Sequence, residues 1–269
     1  MLCNGLVVNT FNRNERCPIL FRVKGTDSFM AASMHALPEN NSQLPNILRR
    51  VHSAVKQVVF EGDLDHNQEP TFSRLTKSEE LNRLVSPELF SAASSLWRSF
   101  CRTDSINTAK PWFAGLVIAM HLTLRSGFNF SVGVDRQLWQ CTPPNARLTL
   151  EGPEALLAFD KAPLCEQIEY LSSIALSPDS VEHGLRRLHG AWIAGDSSTF
   201  AKELVARRNQ FPVVFGLLID DRNRQWLSQL LHILRSGIST LFVMGALHFE
   251  GESSIHKLMR QHGHDLLHQ

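Results

Sequence analysis

The sequence predicts an α/β protein in which segments near the two ends of the chain build one mixed or parallel sheet, and the middle adds a mainly helical insert. Three observations support this. Short apolar runs with strand character occur at 19–34 and 58–60 and again at 239–244. Apolar residues at helical spacing fill about 71–211. The sequence has no short-period repeat, which argues against a solenoid.

Composition and charge narrow the class of protein. The 269 residues are 43% hydrophobic and 20% charged, enough for a sizeable buried core. Lys and Arg total 27 against 26 Asp and Glu, so no basic field favours nucleic acid or an anionic membrane. The longest apolar stretches, 112–122 and 211–219, are shorter than the roughly 20 residues that a membrane span needs. We expect a soluble globular protein without a nucleic-acid partner or a transmembrane segment.

The first residues and the cysteines bear on the cellular compartment. Met1–Val8 has neither the basic start nor the apolar stretch of a secretory signal peptide. The five cysteines are scattered without paired spacing, which predicts free thiols. The cytoplasm is therefore the default expectation, with export by a route that needs no cleaved leader left open.

The strand and helix patterns begin near Ile19. We therefore predict an N-terminal extension over residues 1–18 and a single domain over 19–269, with the helical insert at about 71–211. At its start, Lys24–Asp27 has the composition of a hairpin turn between two strands. A helix over 44–55 and a buried strand over 58–60 follow.

The middle and the end of the chain carry clear boundary signals. Ser86-Pro87-Glu88 is typical of a helix start, and a second helix begins at Pro111. One strand is predicted at 147–150. A helix over 221–234, a strand over 239–244 and a terminal helix from Ile255 complete the chain. Four histidines near the C-terminus are predicted to lie on that exposed terminal helix and its fraying end: His256, His262, His264 and His268.

Four side chains that suit a metal or an acid–base site follow predicted strands. His35 and His248 come just after apolar strands, and Glu61 and Glu151 end two others. Ligands gather beyond the carboxyl ends of parallel strands. If the strands are parallel neighbours, two imidazoles and up to two carboxylates meet at one edge. Two His and one carboxylate can hold a metal and leave positions open for water or substrate. A strand-end histidine can equally be an exposed loop residue.

The same residues resemble a known family. The run Phe29–His35, then Leu44-Pro45, then Val58–Glu61 is similar to the opening of the TraB/PrgY/GumN superfamily, which typically reads Gly-Thr-x-His, Leu-Pro and a strand ending in Glu. The C-terminal match is closer, with Arg222-Asn223-x-x-Trp226 followed by Leu241–Glu252. Weaker matches between these blocks occur in the family's order: Lys110–Trp112, Gly133–Asp135, Leu150-Glu151 and Ala191–Asp196.

The resemblance implies an α/β fold with two Gly-x-x-His motifs and a glutamate near one site. Tiki proteins, which are similar to this superfamily, are divalent-metal-dependent peptidases. The resemblance therefore implies a metal-dependent hydrolase, acting on a peptide or protein, in which His35, Glu61 and His248 bind a divalent ion. Glu61 could instead be a general base on metal-bound water. More distant relatives include haem-binding ChaN-like proteins and erythromycin esterases.

Two further residues match the family's motifs. Arg222 could hold a substrate carboxylate or stabilise an oxyanion through its paired donors, or it could pair with Asp220 or Asp221. Glu151 matches an acid in the middle region and could also be a capping acid before Pro153. We count Glu61, Arg222 and Glu151 as candidate catalytic residues.

The first histidine motif departs from the family pattern. It reads Ala32-Ser33-Met34-His35, so alanine stands where the family has glycine. If that position needs the left-handed conformation, His35 would be displaced; if it needs only a small side chain, alanine serves. Two alternatives to the hydrolase therefore stay open. One is a non-catalytic binding or regulatory protein of the same fold, including an effector, and the other is a binder of haem or another small molecule.

Overall fold

The computed structural model describes residues 19–65, 70–76, 78–100, 104–152 and 156–269. The predicted N-terminal extension, residues 1–18, lies outside the described residues, as do Pro153 and three of the five cysteines. The other two, Cys141 and Cys165, are free. No helix in the described ranges is long and apolar enough to cross a membrane.

Six strands form one sheet, and two short strands form a second. The main sheet contains β1 (Leu20–Val23), β2 (Phe29–Ser33), β4 (Gln57–Phe60), β6 (Arg147–Thr149), β7 (Thr240–Gly245) and β8 (Leu266–His268), and the small one contains β3 (Leu37–Pro38) and β5 (Phe128–Asn129). The strand order of the main sheet is β6-β4-β7-β2-β1-β8. The predicted sheet built from both ends of the chain is therefore confirmed.

The centre of the sheet is parallel. β7 pairs in parallel with both β2 and β4, and β6 pairs in parallel with β4. β1 and β8 are antiparallel and extend the sheet beyond β2. All residues of β2 are buried, and β7 is buried from Thr240 to Met244, as expected for central strands covered on both faces. Because β2, β4, β6 and β7 run parallel to one another, these four strands end at the same edge.

The described ranges also contain twelve α-helices, some packed on the sheet and others in the middle of the chain. Their bounds are α1 Asn46–Ala54, α2 Leu81–Leu84, α3 Pro87–Ser99, α4 Pro111–Arg125, α5 Val134–Cys141, α6 Leu157–Lys161, α7 Leu164–Ala175, α8 Asp179–Ala194, α9 Ser197–Gln210, α10 Pro212–Phe215, α11 Arg222–Arg235 and α12 Ile255–Gln261. The predicted start of α3 is correct, because Ser86 Oγ accepts from the N–H of Leu89. A π-helical turn, Gly216–Asp221, leads into α11.

The buried apolar residues form two clusters. One surrounds the sheet and takes in α1, α5, α11 and α12. The other lies within the helical middle of the chain and includes Trp97, Trp112 and Phe211. The middle segment therefore has a core of its own, while α5 packs on the sheet and brings its N-terminus to the edge where the parallel strands end.

The prediction for the last residues is wrong. α12 ends at Gln261, Gly263 adopts a positive φ of 84°, and the chain turns back into β8. β8 pairs with β1, and His268 lies opposite Phe21. The free edge of β1 offers backbone partners that a solvated helix end lacks, which decides the local conformation. The four histidines are therefore divided among α12, a turn and a strand.

Candidate active site at the carboxyl edge of the parallel strands

The predicted site residues meet at one edge of the sheet. His35 lies two residues after β2, Glu61 directly after β4, and Glu151 two residues after β6. His248 lies in a 3-10 turn, Ala246–Phe249, that follows β7. Arg222 reaches the same edge from the first turn of α11. Parallel pairing makes these strands end together, so residues far apart in sequence become neighbours.

Gly245 marks the point on which three of these side chains converge. A Cβ atom placed on Gly245 would lie 3.3 Å from Glu61 Oε1, 3.5 Å from His35 Nε2 and 3.6 Å from His248 Cδ2. The backbone N–H of Gly245 also donates to Glu61 Oε1 at 2.6 Å. The missing side chain of Gly245 therefore leaves space between two imidazoles and a carboxylate.

Arg222 uses all of its donors within the chain. Its Nε donates to Glu151 Oε2 at 3.0 Å, and its Nη2 donates to Glu61 Oε2 at 2.7 Å and to Glu151 Oε1. Its Nη1 donates to the Leu218 carbonyl at 3.1 Å and lies 3.5 Å from His248 Nε2. A guanidinium has five N–H donors, and each faces an acceptor here. Arg222 thus links both acids and one histidine, and it has no free donor for the substrate carboxylate that the sequence suggested.

The tautomer of His248 follows from its buried partner Asn223. Asn223 Nδ2 donates to the carbonyls of His248 and Ser253 at 3.0 and 2.8 Å. Its Oδ1 must therefore face His248 Nδ1, 2.6 Å away, so Nδ1 carries the proton. The Trp226 ring packs on the imidazole with centroids 4.6 Å apart. His248 consequently directs the lone pair of Nε2 towards Arg222 and Glu61.

His35 is held in a different way. Its Nδ1 donates to Asp135 Oδ2 at 2.8 Å, while 56% of its side chain is exposed. The charge of Asp135 raises the pKa of His35 to about 9, against the opposing effect of partial desolvation of the ring and with further help from Glu61. His35 is therefore the solvent-facing and cationic imidazole of the pair.

The pKa values of both His248 and Glu61 are lowered, which leaves the imidazole neutral and the carboxylate ionised. Burial lowers the pKa of His248 to about 3 despite the charge of Glu61, with Arg222 adding to the effect. Burial alone would raise the pKa of Glu61, but the neighbouring His248, Arg222 and His35 and the Gly245 N–H hold it at about 2. At neutral pH His248 is neutral, and the permanent charge of Arg222 keeps Glu61 ionised.

The imidazole and carboxylate groups at this site are of the type that binds a metal ion, but their spacing is not that of a metal site. Both imidazoles have Nδ1 engaged with an oxygen of the chain, the usual support for a histidine that binds a metal through Nε2. His248 Nε2 lies 3.6 Å from Glu61 Oε1. Nevertheless, no group of three or more His, Cys, Asp or Glu in the described part of the chain is arranged to hold a metal ion. The Arg222 guanidinium lies against two of the three expected ligands.

Position 32, where alanine stands in place of the family's glycine, does not adopt the left-handed conformation. It is a strand residue of β2 that pairs with Met244, and only 1% of its surface is exposed. Its N–H donates to the Ile19 carbonyl, and its carbonyl accepts from Trp192 Nε1, both at 2.9 Å. This position is extended and requires a small side chain, which alanine provides. His35 is not displaced from the site.

The geometry adds four residues that the sequence did not single out by role. Asp135 and Asn223 are hydrogen-bonded to Nδ1 of His35 and of His248, Gly245 makes the space between the two rings, and Trp226 packs on His248 and donates to Glu151 Oε2 at 3.2 Å. All four stand in segments that matched the family pattern. Their order along the chain was therefore an available signal, but their contacts were not.

Comparison with known protein families gives one match. No curated protein and no solved structure matches the chain. The sequence profile of the TraB/PrgY/gumN family matches residues 19–266, nearly the whole chain. The matched range includes both histidine motifs and every residue of the site. The chain therefore belongs to the TraB/PrgY/gumN family.

Proposed function

We propose that this protein is a metal-dependent hydrolase that cleaves a peptide or protein substrate. One observation carries the proposal: two imidazoles, each oriented through Nδ1, converge with the Glu61 carboxylate on the space beside Gly245. Two His and one carboxylate suit a divalent ion with positions left for water and substrate. Family membership supports the fold on which the site is built.

The residues that would hold the ion are His35, Glu61 and His248. A divalent ion bound there would supply a water of lowered pKa and polarise the scissile carbonyl. The low pKa of Glu61 favours its use as an ionised ligand rather than as a general base. His35 has to give up its second proton to become a ligand, and its raised pKa opposes this at neutral pH.

The acids and the arginine have a supporting part in this proposal. Arg222 bridges Glu61 and Glu151 and fixes the Glu61 carboxylate against the Gly245 N–H. Glu151 also accepts from Trp226, which in turn packs on His248. We therefore assign Arg222 and Glu151 as positioning residues, in place of the contact with substrate suggested for Arg222 and the catalytic role suggested for Glu151.

A non-catalytic binding or regulatory role is the second candidate. The observation in its favour is that Arg222 satisfies both acids internally, while no ready-made metal group exists among the described residues. The haem alternative gains no such support. It would use the same two imidazoles, and no contact of the described residues favours haem over a divalent ion.

Metal content and hydrolysis together test the proposal. The protein should be purified, its divalent-metal content measured, and its cleavage of a mixed peptide library followed by mass spectrometry. His35→Ala and His248→Ala should lose both bound metal and cleavage. His183→Ala, an exposed histidine of α8, is the matched control and should retain both. Equal metal content and equal cleavage in all four proteins would exclude this metal-dependent site. Absence of bound metal and of cleavage in the wild type would leave the binding role.

A further inference from the structure

The ion pair between His35 and Asp135 joins an exposed ring to a mostly buried carboxylate. Asp135 is 13% exposed, whereas its partner His35 is 56% exposed. By comparison, the pair formed by Lys24 and Asp265 is exposed at both ends, at 64% and 46%. Exposed pairs of that kind contribute little to stability. Asp135 is instead a mostly buried carboxylate beneath a ring that faces solvent.

The backbone fixes this carboxylate against the His35 segment. The N–H of Val134 donates to the Met34 carbonyl at 2.9 Å. Gly133 lies so close that a Cβ atom there would be 2.2 Å from the His35 carbonyl oxygen. Only glycine permits this approach. The first turn of α5 is thereby held at the end of β2, with Asp135 under the ring of His35.

Among the described residues, the Asp135 side chain makes its hydrogen bond to His35 alone. Oδ2 accepts from Nδ1 of His35 at 2.8 Å, whereas Oδ1 is buried and has no partner there. Nε2 of the same ring lies 3.5 Å from the Gly245 Cβ position, so the contact with Oδ2 fixes the ring with Nε2 towards that space. Asn223 Oδ1 faces Nδ1 of His248 in the same way, at 2.6 Å.

We propose that Asp135 is a positioning residue of this site: it acts through His35, holding the imidazole with Nε2 directed at the space between Glu61 and His248. The proposal rests on the proposed function for its consequence in catalysis. The orientation of His35 is a property of the metal-free protein, so it can be tested separately.

The first measurement uses the metal-free protein. Nuclear magnetic resonance of the ¹⁵N-labelled chain should show a hydrogen-bonded proton on His35 Nδ1, identified by its loss in His35→Ala. Asp135→Ala should lose this signal, and Asp135→Asn, which keeps an acceptor oxygen and the side-chain shape, should retain it. Asp160→Asn is the matched control, because Asp160 is also a mostly buried carboxylate, 21% exposed and paired with Lys110.

The second measurement is zinc affinity by titration calorimetry. Removing the hydrogen-bond partner of a metal-bound histidine typically weakens metal binding about 10- to 100-fold. We expect a loss of that size in Asp135→Ala, a smaller loss in Asp135→Asn, and wild-type affinity in Asp160→Asn, each affinity being corrected for the proton that His35 releases when it binds zinc. Partial recovery with asparagine would indicate orientation rather than general destabilisation.

The outcomes separate this proposal from the proposed function. If the wild-type protein binds no zinc and cleaves nothing, the metal-dependent hydrolase fails, while loss of the Nδ1 proton in Asp135→Ala still supports positioning. If Asp135→Ala keeps that proton signal, the positioning proposal is overturned even when zinc binds. Should Asp135→Ala not fold, persistence of the signal in Asp135→Leu, a shape-filling variant without an acceptor, overturns it equally.

Discussion

Replacing Gly245 by alanine tests whether the reacting space lies where the three side chains converge. The new methyl carbon would lie 3.3 Å from Glu61 Oε1, 3.5 Å from His35 Nε2 and 3.6 Å from His248 Cδ2. Only the first of these distances is tighter than an ordinary contact, so Glu61 has to move by a few tenths of an ångström. The backbone at Gly245 has φ −55° and ψ 142°, which alanine adopts without strain.

The expected effects on stability and on function therefore differ. Alanine restricts the unfolded chain, a gain of about 0.4–1 kcal/mol, and this offsets the small shift of Glu61. We expect the free energy of unfolding to change by less than about 1 kcal/mol, or roughly 2–4 °C in melting temperature. The methyl group nevertheless fills the space in which metal–ligand bonds of about 2.0–2.2 Å would form. A misplacement of about 1 Å can reduce a rate by roughly 10²-fold, so we expect at least that loss of hydrolysis.

Calorimetry, zinc titration and peptide cleavage measure these quantities side by side. Gly62→Ala is the matched control, because a Cβ atom on Gly62 meets only the Glu151 carbonyl oxygen within 4 Å, at 3.7 Å. That variant should keep zinc affinity and cleavage. Full activity in Gly245→Ala would refute the reasoning, since the chemistry would then take place away from the point defined by His35, Glu61 and His248.

Four further predictions concern the same site. Arg222→Met leaves two mostly buried acids without their cation and should lower the free energy of unfolding, measured by urea denaturation, by about 3–5 kcal/mol. Arg224→Met removes an exposed pair and should lower it by less than about 1 kcal/mol. Equal losses in the two variants would contradict the role of Arg222. Burial lowers the pKa of His248 from 6.5 to about 3, so between these pH values the unfolded chain binds a proton that the folded chain does not. The free energy of unfolding should therefore fall as the pH decreases through that window, and it should fall less in His248→Asn. The same dependence of melting temperature on pH in the variant and the wild type would argue against this. The raised pKa of His35 has the opposite sign, and its contribution, reduced by exposure, should be lost as the pH rises from 6.5 through about 9, as melting temperatures of His35→Ala against wild type would show. Removal of divalent ions with a chelator should abolish peptide cleavage, and zinc or manganese should restore it in the wild type but not in His35→Ala; cleavage that survives chelation would remove the metal from the proposal.

Local sequence patterns predicted most of the elements that build the site. The hairpin before β2, the helix after Ser86, the strand at 58–60 and the strand at 239–244 were all expected within a few residues of their observed bounds. Each is set by signals that act over short distances: a glycine turn, a capping hydroxyl, or an unbroken apolar run. The strand β8 was missed because its formation depends on the free edge of β1, some 240 residues earlier in the chain.

The amino-acid pattern alone was enough to locate the strand ends, and hence to make His35, Glu61, Glu151 and His248 candidates for one site. Strand ends can be read from the apolar runs that precede them, since burial on both faces leaves a continuous pattern. The partner of each of these side chains, in contrast, depends on how the strands and helices pack in three dimensions. Parallel pairing of β2 and β4 with β7 brings the groups together, and the guanidinium of Arg222 turns inward to the acids instead of outward to a ligand. Hydrogen bonds between residues 71 to 161 positions apart depend on how whole layers pack, and no local pattern records that.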